Sequence, residues 1–142
     1  MRLLAFIILA CAAPAQAAHE LTGRDLASGE MLYQENCASC HGVNLEGQPN
    51  WQIPNPDGTL PAPPHDATGH TWHHDNQLLY DYTTLGGQGA LAARGITDFQ
   101  SGMPAFGEVL TEEEIWEVLA YIRSTWPERV QEAQASRNPP HQ

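Results

Sequence analysis

Cys37-Ala38-Ser39-Cys40-His41 is the stretch on which the reading of this chain turns. Two thiols three residues apart lie on one side of a helical turn. A histidine follows at once, so an imidazole leaves the same turn. The form C-x-x-C-H reads as a c-type haem attachment site. Each thiol adds across one vinyl group of the porphyrin, and the imidazole takes the proximal position on the iron. The rival is a redox-active C-x-x-C with an incidental histidine. That rival requires a preceding strand and a βαβ pattern, and the neighbouring residues offer neither.

Upstream, residues 1–17 read as a signal peptide that is removed. Met1-Arg2 is a short positive start, Leu3 to Ala13 is apolar, and Ala15-Gln16-Ala17 is an A-x-A cleavage site. The apolar run is too short to span a membrane. A lipoprotein reading would use Cys11 instead, but the A-x-A site competes with it. Cleavage removes Cys11 and leaves only the two motif cysteines, so the exported protein has no disulfide framework. The expected compartment is the periplasm.

The charge is lopsided, with 6 Lys+Arg against 17 Asp+Glu and a formal net charge of −11. All six cations are arginines. Such a surface disfavours nucleic acid and anionic lipid. A docking partner is expected to be basic, or to meet an apolar patch at the haem edge. Simple solubility accounts for the acidity equally well.

Helical patterns flank the motif. Ser28 is the expected N-cap of a helix from Gly29 to Cys37 that buries Leu32 and Tyr33 and runs into the attachment site. Asp75 caps a second helix through Leu85, stopped at Gly86-Gly87, with Leu78, Leu79, Tyr82 and Leu85 as its buried stripe. The last helix is the clearest. Thr111-Glu112-Glu113-Glu114 forms a capping box, Ile115, Val118, Leu119, Ile122 and Trp126 share a face, and Pro127 ends it. The domain is placed at 24–127, and 128–142 is expected to be a frayed or disordered tail, helical over Arg129 to Ser136 and disordered from Arg137 to Gln142.

Between Gly42 and His74 the periodicity vanishes into a turn-rich wrap dense in Gly and Pro. Loops of this length inside compact domains usually serve a function, and enclosing a flat cofactor is one. Trp51 and Trp72 either cover the macrocycle, with an indole N–H on a propionate, or pack the loop onto the helices. His65, His70, His73 and His74 allow three readings: a second metal site for copper or zinc, propionate and turn hydrogen bonding, or a sixth iron ligand. Further on, Met103 sits in Ser101-Gly102-Met103-Pro104-Ala105-Phe106-Gly107. A thioether between Gly and Pro, ahead of a strong helix, is poorly placed for core packing and well suited to haem iron. Pro104 stiffens the segment.

Together these pieces resemble the class I c-type cytochromes, the single-haem electron carriers. The resemblance rests on Gly29-Glu30-Met31-Leu32-Tyr33, Cys37 to Gly42, Gly102 to Phe106 and the closing helix from Thr111 to Trp126. It implies an all-α cytochrome c fold, with N- and C-terminal helices crossed around one covalently attached haem and a long Pro/Gly/His-rich loop. It implies thioethers at Cys37 and Cys40, a proximal bond from His41 and a distal bond from Met103. It also implies that Gly29 packs on an aromatic of the last helix, Tyr121 or Trp116, and that a proline carbonyl, taken as Pro54, orients His41. The segment from Trp51 to His74 departs from the short family loop.

The function expected is periplasmic electron transfer on one haem c, with no catalytic residue and with protein redox partners. The alternatives are a haem enzyme with peroxidase-like activity, a copper-binding module using the His65–His74 loop, or a haem subunit of a larger oxidoreductase.

Overall fold

The computed structural model describes residues 20–138; the expected leader and Cys11 lie outside them. Five α-helices follow in order: α1 (Leu26–Asn36), α2 (Ala38–His41), α3 (Asn76–Ala92), α4 (Glu112–Ser124) and α5 (Glu128–Ala135), with a 3₁₀ turn at Thr71–His73. No strand occurs among the described residues. The fold is all-α.

α1 begins three residues earlier than the Ser28 cap implies. Asp25 is the N-cap, and its carboxylate accepts from the backbone N–H groups of Ala27 and Ser28. Ser28 is thereby free for another task. Its hydroxyl donates to Glu117 of α4 at 2.6 Å. One residue on, Gly29 lets the two helices touch backbone to side: a Cβ there would overlap the Glu117 carbonyl and press on Tyr121 Cβ. Tyr121 is therefore the aromatic packed against Gly29. Trp116, the other candidate, stacks on Tyr80 of α3 instead, with ring centroids 4.6 Å apart.

α4 follows its sequence closely. Thr111 Oγ1 accepts from the Glu114 N–H, and the Glu114 carboxylate accepts from the Thr111 N–H at 2.8 Å. The Thr111 N–H and hydroxyl, both donating to the Glu114 carboxylate, hold it below its ordinary range. Ile115, Val118, Leu119 and Ile122 are all buried in the core shared with Leu32 and Tyr33. Each such side chain contributes about 1.5–3 kcal/mol of burial, so the α1–α4 crossing is the mechanical centre of the fold.

α3 departs from the expected pattern. Its helical geometry breaks at Gly86 (φ +73), the expected stop, and then resumes to Ala92. The stripe expected to be buried is only partly so: Leu79 packs on the core, while Leu85 is 48% exposed. The residues α3 buries are Asn76, Thr83, Gly86, Gly87, Ala90 and Leu91.

The expected tail is corrected in part: the frayed helix over Arg129 to Ser136 is present but packed, and residues 139–142 lie outside the described residues. Residues 128–135 form α5, which docks against the rest of the protein. Val130 is buried, and Gln134, wholly enclosed, donates to the His74 carbonyl and to Asn76 Oδ1. Asn138 accepts from the Asn76 N–H at 2.7 Å. Polar contacts over sixty positions in sequence fasten this segment, and a local pattern search has no access to them.

Candidate functional site

Cys37, Cys40 and His41 come together on the turn that joins α1 to α2. The Cys40 and His41 N–H groups both donate to the Cys37 carbonyl, and the Gly42 N–H donates to Ala38. Gly42 takes φ +85 and ends the turn. Neither cysteine is in a disulfide; Cys37 is buried and Cys40 exposed. Burial pushes the Cys37 thiol up to about 11. A redox-active C-x-x-C belongs with a preceding strand in a βαβ unit, and no strand occurs among the described residues.

His41 is 8% exposed. Its Nδ1 lies 2.8 Å from the Pro63 carbonyl oxygen. A carbonyl only accepts, so Nδ1 carries the proton and Nε2 keeps its lone pair. Burial lowers the pKa of the ring and keeps it neutral, while the Pro63 bond works weakly against that. A neutral imidazole with its rear nitrogen bonded and its front nitrogen open is prepared as a metal ligand. The orienting carbonyl belongs to Pro63, not to Pro54 as the resemblance implied; Pro54 is exposed. The lengthened loop moves the matching proline nine positions along the chain.

Met103 stands on a separate segment. The Gly86 break leaves helix carbonyls without their usual donors, and residues 103–107 fill the gap. Gly87 N–H donates to the Met103 carbonyl at 3.0 Å, Phe106 N–H to Thr83 at 2.9 Å and Gly107 N–H to Thr84 at 3.0 Å. The Met103 N–H in turn donates to Ser101 Oγ. Met103 itself is half-buried. The methionine segment thus hangs on α3 by backbone bonds that exist because that helix kinks.

The four loop histidines do not form one cluster. His65 stacks on His41, centroids 3.8 Å apart and planes 24° from parallel. His70 lies flat on Trp51 at 5.2 Å and meets the edge of His74. His73 is exposed and sits edge-on to Trp72. Among the described residues no group of three or more His, Cys, Asp or Glu is placed to hold a metal ion, so the copper or zinc alternative has no geometric support. The two tryptophans divide as well. Trp51 serves the loop, whereas Trp72 packs on the core with its indole N–H sealed from water and unpartnered.

Two contributors escaped the sequence reading, Pro63 and Leu45. Leu45 is buried at φ +63, and its carbonyl accepts from both the His65 and Asp66 N–H groups. The signal available was the rigid Pro63-Pro64-His65 triplet, lying beyond the place a short loop would put it.

The residues present fit a covalently tethered haem. Paired free thiols adjoin a ligand-ready imidazole. The Trp72 N–H and Thr84 hydroxyl are buried without partners, as donors awaiting carboxylates are. Ile53, Leu85, Phe99 and Val109 stand exposed on the loop, α3 and the segments flanking Met103, apolar surface of the kind a porphyrin covers.

The sequence model of the cytochrome c family matches residues 26–126. A nitrite reductase of Stutzerimonas stutzeri is 27% identical over 124 residues, covering 83% of this chain and 19% of that protein. This chain therefore corresponds to about a fifth of that relative's length. No solved structure matches. The match runs from the first turn of α1, through the thiol pair and His41, to Trp126 between α4 and α5, and the chain belongs to the cytochrome c family, whose members carry covalently bound haem c and exchange electrons with redox partners.

Proposed function

We propose that this protein is an exported, periplasmic carrier of single electrons on one haem c, held by thioethers from Cys37 and Cys40 and ligated by His41 and Met103. The observation that carries the reading is the His41–Pro63 bond, which leaves one imidazole nitrogen open beside two unbridged thiols. When bound, the haem supplies one-electron exchange between ferrous and ferric iron. The chain's own part is to hold and to shield. Burial keeps His41 neutral, and the Pro63 carbonyl holds its Nδ1 edge. Met103 is held by a backbone that Pro104 stiffens and that the kinked α3 anchors. Trp72 and Thr84 offer buried donors suited to propionate oxygens. No helix among the described residues is long and apolar enough to cross a membrane.

Met103→His tests the distal assignment. The haem should stay attached while the potential falls by a few tenths of a volt, a fraction of the roughly 0.8 V that axial ligation spans, as spectroelectrochemistry would read. An unchanged potential would exclude Met103 as ligand.

The likeness to part of a nitrite reductase supports a second reading, in which the chain is a haem module of a larger oxidoreductase with an open iron. Ligand binding separates the two. A carrier with both axial positions filled binds carbon monoxide or cyanide slowly or not at all, and an enzyme with an open iron binds them readily.

A further inference from the structure

Pro63 and His65 are two residues apart and meet the same side chain from different directions. Pro63 takes the edge of the His41 ring through its carbonyl, and His65 lies on the face. We propose that His65 is a positioning residue, whose flat ring fixes the plane of the His41 imidazole.

One hydrogen bond fixes one ring atom and leaves the plane free to tilt about it. A stacked ring removes that freedom, provided that it cannot move itself. His65 is fastened on every side. Its N–H donates to the Leu45 carbonyl at 2.8 Å. Its carbonyl accepts from Trp126 Nε1 at 2.7 Å, which ties it to the end of α4. Tyr33 flanks the ring with centroids 6.0 Å apart, and the Tyr33 hydroxyl donates to Gly42, the residue following His41. Between the two contact residues, Pro64 is clamped: a Cβ on Gly47 would overlap its nitrogen, and a Cβ on Gly69 would overlap its carbonyl oxygen. The triplet Pro63-Pro64-His65 is thus one rigid jaw closed on His41.

The chemistry of the ring supports the assignment. His65 Nδ1 is sealed from water with no hydrogen-bond partner, which costs stability. A leucine of similar volume would avoid that cost. What leucine lacks is a flat face to lay against an imidazole. The outcome matters because the plane of an axial imidazole sets which iron orbitals it overlaps, a tuning lever that acts through the ligand's surroundings.

The test uses the mature holoprotein with His65→Leu and His65→Phe, read by the paramagnetic shifts of the haem methyl groups and the g-anisotropy of the ferric form. The leucine variant should reorder the methyl shifts, and the phenylalanine variant, which restores a flat ring, should return them close to wild type. Trp126→Phe, which frees the His65 carbonyl without touching the ring, should move them less and in the leucine direction. Methyl shifts in the leucine variant identical to wild type overturn the proposal, and so does an equal displacement in the leucine and phenylalanine variants. The proposal rests on His41 as iron ligand. If that reading fails, the wild-type spectrum itself lacks an axial-imidazole pattern, whereas failure of the His65 assignment leaves the wild-type pattern intact.

Discussion

The two sides of this site are built by different means. On the His41 side, the thiols and the imidazole share one helical turn, and the Leu45–His65 stretch closes on them through a carbonyl, a stacked ring and glycine-tight contacts. On the Met103 side, a half-buried side chain depends on three backbone bonds to a kink in α3. The first arrangement determines each group several times over. The second determines its group once, through a helix that had to be broken. Stability is uneven across a fold, and mobile or exchangeable parts belong to its less determined regions. The His41 side should therefore be the permanent half of the site and the Met103 side the half that yields first.

The sharpest way to break this comparison is to remove the tether. Cys37→Ala with Cys40→Ala should eliminate covalent haem altogether, with the mass of the mature protein falling to that of its polypeptide in a host with working cytochrome maturation. Retained covalent haem would dissolve the distinction between the two halves. Next in size is Gly29→Leu, which drives a side chain into the Glu117 carbonyl. Overpacking typically costs about 1–3 kcal/mol; here the obstacle is backbone, so the loss should reach the top of that range in chemical denaturation.

Gly86→Ala sharpens the comparison on the other side. It places a Cβ at φ +73, against the Met103 carbonyl and the Ala105 N–H. With ψ at 161 the backbone lies in a region open essentially to glycine alone, which costs another residue roughly 1–3 kcal/mol. The expected result is selective: easier displacement of the distal ligand by added imidazole, with the haem still attached. Equal loosening on both sides would contradict the division drawn here.

The smallest expected effect is on acid stability. Burial lowers the pKa values of His70 and His74 below the usual 6.5. A group whose folded-state pKa is depressed contributes stability that is present above its unfolded pKa and is lost as pH falls through the folded value. The urea midpoint should thus decline on going from pH 7.5 to below 6. A His70→Asn/His74→Asn double variant should decline less. An equal decline would assign the acid sensitivity to other groups.

The sequence alone determined the Cys37–His41 turn, the capping box of α4 and the place of the α3 break. The reason is that each depends on residues a few positions apart: two thiols and an imidazole on one turn, Thr111 with Glu114, a glycine where the helical stripe ends. The tertiary structure alone decided that Pro63 and not Pro54 meets His41, that His65 stacks on it while His70, His73 and His74 go elsewhere, and that α5 docks through Gln134 and Asn138. Those contacts join residues from about twenty to over sixty positions apart, across a loop with no repeating pattern. Their geometry is set by how that loop packs, through Leu45, Gly47 and Gly69, and packing of that kind leaves no period in the sequence to be read.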